Sequence, residues 1–142
     1  MTDRDDQWTH RFPGRGSPEF HNLYKVEFGE LTAGDVNLRA DLAKLMSRAL
    51  TGSVRSSDCV CYDVGWPSGE VVHEVGLDVE VDHYRIYFSD PDCAPTVLVF
   101  LIPTVKPSSK VSDDWHTIQD DHIREAKERA GDWVSEWYTR GL

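Results

Sequence analysis

The chain has 142 residues, of which 39% are hydrophobic and 28% charged, and a chain of this size buries roughly two thirds of its unfolded surface in one domain. It has no apolar run near the ~18 residues of a membrane helix and no signal-peptide pattern at its start, so we expect a cytoplasmic protein. The formal net charge of −10 disfavours binding to phosphate backbones unless the basic residues gather in one place. It favours a protein partner, a basic surface or simple solubility.

Residues 1–19 are polar, contain proline and glycine and show little periodicity. This pattern predicts a flexible or loosely docked N-terminal arm. Its two aromatic residues, Trp8 and Phe12, are candidates for docking on the body of the domain or on a partner. We expect residues 20–142 to form a single domain.

Residues 20–30 alternate between apolar and polar side chains, which predicts a first strand. Thr32 or Asp35 is placed to cap a helix that continues to about Leu50 and stops before Gly52. Apolar residues at helical spacing predict its buried face, namely Leu38, Leu42, Leu45, Met46 and Ala49. The charged residues between them are typical of a solvated face.

Three strand patterns follow one another in the middle of the chain. Residues 71–81 alternate and predict a half-buried strand, Asp82 and His83 are placed at a turn, and residues 84–88 are rich in strand-forming residues. Residues 96–102 are an unbroken apolar run, which suits a strand covered on both faces. Consecutive strands of this kind predict an antiparallel meander.

The C-terminal segment shows an apolar repeat of three to four residues from Ile118 to Trp137, with charges of alternating sign between them. This pattern predicts a long helix. The sequence therefore predicts an α+β fold, in which an N-terminal helix and the long C-terminal helix pack against one face of an antiparallel meander sheet.

The cysteines are odd in number, and Cys59 and Cys61 are too close for an easy disulfide in an extended strand. Together with Cys93 we expect them to be reduced thiols. A metal site needs a fourth ligand, for which only His73 and His83 lie near, and no second paired motif is present. We expect neither a metal nor a cofactor.

Three local strings, at residues 73–77 with 84–88, at 98–101 with 105–110, and at 122–129, resemble motifs of RelE and HigB toxins. These toxins are the RNA-cleaving half of bacterial and phage toxin-antitoxin pairs. The order of elements is similar as well. The resemblance implies a RelE-like fold, a ribosome-dependent mRNA endoribonuclease, and a small antitoxin protein as partner, with no membrane and no small-molecule cofactor.

The chemistry of such an enzyme assigns roles to particular residues. The ribose 2′-hydroxyl attacks the neighbouring phosphate, so a base accepts its proton and cations hold the added negative charge. Arg85 matches the transition-state arginine of the family and is the candidate phosphate clamp. Lys106 and Lys110 are candidates to complete the cationic cluster. Tyr87 or His83 is the candidate proton carrier.

The chain departs from the toxin pattern at two positions and along one strand. Gly76 stands where the family has an arginine, and Pro107 replaces one lysine of a pair. Acidic residues crowd the strand that faces RNA in the family, at Glu70, Glu74, Asp78, Glu80 and Asp82. A carboxylate beside a phosphate costs on the order of a few kcal/mol at an effective dielectric near 20.

These departures leave room for a second hypothesis from a different class, although residues 84–87 with Val105 and Lys106 keep the toxin slightly ahead. In it the chain is a catalytically inactive RelE-like module for protein interaction or regulation, and Arg85 forms a cross-strand ion pair with Glu74 or Asp78. A relative of the topoisomerase-directed ParE toxins is a third reading, which the sequence does not separate from the second.

Overall fold

The computed structural model describes residues 17–60, 71–107 and 115–140. Their elements are, in chain order, strand β1 (Ser17–Phe20), helices α1 (Tyr24–Leu31) and α2 (Val36–Thr51), a 3-10 turn (Ser56–Asp58), strands β2 (His73–Val79), β3 (Asp82–Ser89) and β4 (Val97–Pro107), and helix α3 (Trp115–Arg140). Most of the predicted N-terminal arm, with Trp8 and Phe12, lies outside the described residues. Its residues 17–19 belong to β1.

The sheet has four strands in the order β1-β4-β3-β2. β2 pairs with β3 and β3 with β4 in antiparallel fashion, so the predicted meander is confirmed. β1 adds a parallel strand along the first part of β4, from Ser17 opposite Val97 to Phe20 opposite Phe100. The fold is therefore α+β with a mixed sheet, and its C-terminal helix is long.

The strand predicted for residues 20–30 is wrong. β1 ends at Phe20, and the residues that follow form helix α1. Tyr24, Phe28 and Leu31 are spaced by four and three residues, so one face of a helix brings all three to the core. The ring of Tyr24 lies 5.9 Å from that of Phe100. The alternation in this short segment fitted both periods, and packing against β4 selects the helix.

Helix α2 begins and ends where the sequence predicted. The Asp35 carboxylate accepts a 2.9 Å hydrogen bond from the Leu38 amide, and Gly52 ends the helix in the left-handed region at φ 75°. The predicted apolar stripe is buried, except that Met46 is only partly so.

The predicted turn between the first two meander strands lies two residues too late. The chain turns at Glu80 and Val81, and Glu80 has φ 57°. Asp82 and His83 already belong to β3 and pair with Val79 and Asp78. Glutamate in the left-handed region is uncommon, and no sequence signal announces it.

The helices cover both faces of the sheet, which corrects the predicted packing on one face. α1 and α2 form one buried cluster with Val75, Ile86 and Phe88. α3 forms a second cluster with Tyr87, Val99 and other residues of the opposite face. The apolar run in β4 explains this arrangement, because neighbouring residues along a strand point to opposite faces and both sets are apolar.

A buried arginine joins α3 to α1 at the edge of the sheet. The Arg129 guanidinium donates to the Leu101 carbonyl at 2.9 Å, to Glu27 Oε2 at 2.7 Å and to Glu125 Oε2 at 2.9 Å. The hydrogen bonds to Glu27, above all, raise the pKa of Arg129 against the opposing effect of burial. The guanidinium thus holds two helices and one strand together.

Replacing this arginine by methionine should destabilise the fold. Arg129→Met leaves the Leu101 carbonyl and a partly buried Glu27 without their donor, and we expect a loss of ~2 kcal/mol in the free energy of unfolding. The matched control is Arg124→Met, whose ion pair with Asp121 is solvent-exposed and should change stability by less than ~0.5 kcal/mol. Urea unfolding measures both, and equal losses would contradict this role of Arg129.

No helix within the described ranges combines the length and the apolar character that crossing a bilayer requires.

Candidate functional site

The predicted catalytic residues of β3 and β4 lie on one face of the sheet. The register places Arg85 opposite Gly76 on one side and Thr104 on the other, and places His83 between Asp78 and Lys106. Side chains directly opposite one another share a face, and this is the face that carries Tyr87 and the α3 cluster. The site therefore lies on the α3 side of the sheet, towards the turn between β2 and β3.

The Arg85 guanidinium is engaged with acidic residues of β2. Its Nη1 lies 2.9 Å from Asp78 Oδ1 and also donates to the Tyr84 carbonyl at 2.8 Å. Its Nε lies 3.6 Å from Glu74 Oε2, an ion-pair distance too long for a hydrogen bond. Only 11% of the Arg85 side chain is exposed. The charge expected to hold a phosphate is thus already balanced by carboxylates.

Gly76 is the reason that Arg85 lies flat against β2. A Cβ atom built on Gly76 would meet Arg85 Cδ at 2.5 Å and Arg85 Nη1 at 2.7 Å, and it would collide with the Tyr84 carbonyl oxygen. The absence of a side chain at this position lets the arginine cross the strand and reach Asp78. Glycine at this position therefore allows the ion pair between Arg85 and Asp78.

The ion pair with Arg85 changes the pKa of the Asp78 carboxylate. Partial burial acts to raise the pKa of Asp78, but the hydrogen bond and charge of Arg85, with those of His83, outweigh it and hold that pKa below its ordinary value. His83 Nδ1 lies 2.7 Å from Asp78 Oδ1. One carboxylate thus engages both of the predicted catalytic residues of this end of β3.

Tyr87 and Lys106 are both buried. Tyr87 is 0% exposed and belongs to the cluster beneath α3. Lys106 is 6% exposed, and its Nζ donates to Gln119 Oε1 at 2.6 Å. The register makes Lys106 a diagonal neighbour of Arg85 on the same face. Lys110, the third predicted cation, lies outside the described residues.

The cysteine nearest to this cluster is Cys59, whose Sγ lies 3.9 Å from Asp78 Oδ2. Partial burial raises its pKa and outweighs the charge of Arg85, which acts to lower it, so the thiol is protonated at neutral pH. The Cys59 and Cys93 thiols form no disulfide with each other, and Cys61 lies outside the described residues. Among the described residues no group of three or more His, Cys, Asp and Glu side chains is arranged to hold a metal ion.

A groove that the sequence did not indicate lies along the edge of β4 that faces away from β3. It has a volume of about 390 Å³ and lies between α1, β4 and α3. His122 forms the wall of the groove on α3. From the sequence, this residue was predicted only to lie on the apolar face of a helix. The Nδ1 atom of His122 is buried and has no hydrogen-bond partner within the described part of the chain. Burial first, and the charge of Lys106 second, lower the pKa of His122, so its imidazole is neutral at pH 7.

No family model, no curated protein and no solved structure matches this chain. The similarity to RelE and HigB toxins therefore rests on the short strings of the sequence alone.

The ion pair at Arg85 can be tested by titration of Asp78. Arg85→Gln removes the main group that lowers the pKa of Asp78, so we expect this pKa to rise above its wild-type value, towards or past the ordinary 3.8. His83→Gln, the matched control, should raise it less, because His83 contributes less to the shift. Carboxyl ¹³C NMR measures both values.

The lowered pKa of Asp78 also determines how the stability of the fold depends on pH. A pKa lowered in the folded state stabilises the fold above the ordinary pKa of aspartate, and that stabilisation is lost as the pH falls through the lowered value. Arg85→Gln should abolish this part of the acid dependence. An unchanged pKa of Asp78 in that variant would contradict the ion pair.

Proposed function

We propose that this protein is a protein-interaction module on a RelE-like scaffold, whose partner has a basic surface, and that it does not cleave RNA. A small antitoxin protein with a basic surface is one partner of this kind. The observation that supports the proposal most is the engagement of Arg85 by Asp78 across Gly76, with Glu74 nearby. A guanidinium balanced by carboxylates offers little stabilisation to a phosphate that gains negative charge.

The surroundings of Arg85 support the same proposal. Tyr87 is completely buried, and Lys106 is engaged with Gln119 beneath α3. A proton carrier and a phosphate-binding cation both need contact with the substrate. The net charge of −10 adds a field that repels polyanions over the whole chain and attracts basic proteins.

A ribosome-dependent mRNA endoribonuclease toxin is the second candidate function. The observation that favours it is the register, which gathers His83, Arg85 and Lys106 on one face of neighbouring strands. In this alternative, the ribosome or the mRNA displaces Asp78 from Arg85. That exchange costs an ion pair whose acidic partner is 44% exposed, so the cost is modest.

Growth and mRNA integrity after expression without a partner distinguish the two candidates. We expect wild type and Arg85→Ala to be equally harmless, and primer extension on abundant messages to reveal no new 5′ ends in either. The matched control is Arg124→Ala, which removes an exposed arginine of α3.

The opposite outcome is equally specific. Growth arrest and mRNA cuts that occur with wild type and with Arg124→Ala, but disappear with Arg85→Ala, would replace the proposed function by the nuclease.

A further inference from the structure

The groove between α1, β4 and α3 is built mainly from the edge of the sheet. Its lining comprises Glu27, Glu30 and Leu31 from α1, residues 102–105 from β4, and His122 from α3. β1 pairs with β4 only as far as Phe100. Beyond that residue no strand among the described parts of the chain covers this edge of β4, so its backbone faces the groove.

Prolines determine which backbone groups this edge offers. Pro103 lies opposite Ile86 and Pro107 opposite Asp82, and a proline fits a ladder only where its nitrogen points away from the neighbouring strand. Since backbone groups alternate in direction along a strand, Pro103, Val105 and Pro107 all point outward. The edge therefore presents carbonyl acceptors and, among these three residues, a single N–H donor at Val105. It is a poor template for an added strand and a good one for a hydrogen-bond donor.

The chain itself shows how such an acceptor set is filled. Just before the groove, the Leu101 carbonyl accepts a hydrogen bond from Arg129, whose other nitrogen donates to Glu27. One guanidinium thus bridges a carbonyl of the β4 edge and a glutamate of α1. Its planar fork of donors suits this task.

The groove repeats this acceptor pair one step further along both elements. Pro103 follows Leu101 by two residues on the same edge, and Glu30 follows Glu27 by three residues, almost one turn of α1. Within the described residues no side chain donates to the Glu30 carboxylate or to the Pro103 carbonyl. The Glu30 carboxylate and the Pro103 carbonyl thus form a second acceptor pair, which lacks a guanidinium like the one that Arg129 supplies to the first.

On the other wall, His122 itself adds no positive charge at pH 7, because burial and the charge of Lys106 lower its pKa. Its buried Nδ1 has no hydrogen-bond partner among the residues that the structure describes. Leu31, Ile102 and Pro103 supply apolar surface against which the methylene groups of a long side chain pack.

We propose that this groove binds an arginine side chain of the partner protein, with its guanidinium between the Glu30 carboxylate and the outward carbonyls of β4. This inference rests on the proposed function, since it names the chemistry by which a basic partner is recognised. It places the contact on the edge of β4, away from Arg85. Arginine is favoured over lysine because the acceptors come from two elements and a forked donor reaches both.

A labelled peptide in which arginine alternates with glycine is the probe, and the same peptide with citrulline, a neutral isostere of arginine, is its control. We expect the arginine peptide to bind the full chain in low salt and the citrulline peptide not to bind. Amide shifts in ¹H–¹⁵N spectra should concentrate at residues 27–31 and at Ile102, Thr104 and Val105. Binding with shifts elsewhere would overturn the site.

Charge reversal separates this groove from the general acidity of the chain. Glu30→Arg should weaken binding of the arginine peptide by ~10-fold or more, because its own guanidinium competes for the acceptors and repels the probe. Glu128→Arg reverses an equally exposed glutamate on α3 and should weaken it by less than ~2-fold. Equal weakening would show diffuse attraction and overturn the proposal. Val105→Arg, at an exposed residue of the groove, should abolish binding as a second block.

Two further outcomes identify what else the groove takes. Equal binding of a lysine peptide would overturn the preference for a fork of donors. Binding of a single-stranded RNA oligomer that Glu30→Arg strengthens would replace the protein partner by RNA. The growth test with Arg85→Ala is independent of these variants, so failure of the groove leaves the proposed function standing, and failure of the function is seen without the peptide.

Discussion

Helices cover the sheet on both faces, so each charged side chain that points at a helix has to find a counter-charge or a hydrogen-bond acceptor inside the fold. A buried ion without a partner costs several kcal/mol. Arg129 meets this constraint through Glu27 and the Leu101 carbonyl, and Lys106 meets it through Gln119. Arg85 meets it through Asp78. The basic residues on this face are therefore used to hold the fold together, which leaves them little capacity to bind a polyanion.

The same constraint links one missing side chain to the proposed function. Because Gly76 has no Cβ, Arg85 lies across β2 and reaches Asp78. With a larger residue at this position the arginine would have to leave the strand and point outward, where a ligand meets it. Glycine at this one residue thus supports the proposed protein-binding role over a phosphate-binding one.

Much of the fold follows from local patterns in the sequence. The apolar stripe of α2, its cap at Asp35 and its end at Gly52 each have a local physical cause, and the structure contains all three. Residues 20–30 are different, because so short a segment fits two periods and only contact with Phe100 and its neighbours selects the helix. The left-handed Glu80 is set by the turn geometry, and nothing in its side chain indicates it.

The site was predictable in part. The sequence predicted that Arg85, Lys106 and Lys110 converge, and alternation along β3 put Arg85 and Tyr87 on one side. The balancing of the Arg85 charge could not be predicted, because only the strand register brings Gly76 opposite Arg85 and Asp78 opposite His83. The groove was hidden for another reason. Pro103 and Glu30 are distant in sequence, and only the end of β1 at Phe20 makes an edge of that part of β4.

The prolines of β4 have one more consequence for the molecule. An uncovered edge strand is a nucleus on which further copies of a protein stack into fibres. Two N–H groups are missing from the exposed side of β4, which interrupts the ladder that such stacking requires. The bare stretch of β4 backbone is thus protected against the addition of a further strand by two residues that cannot donate to it.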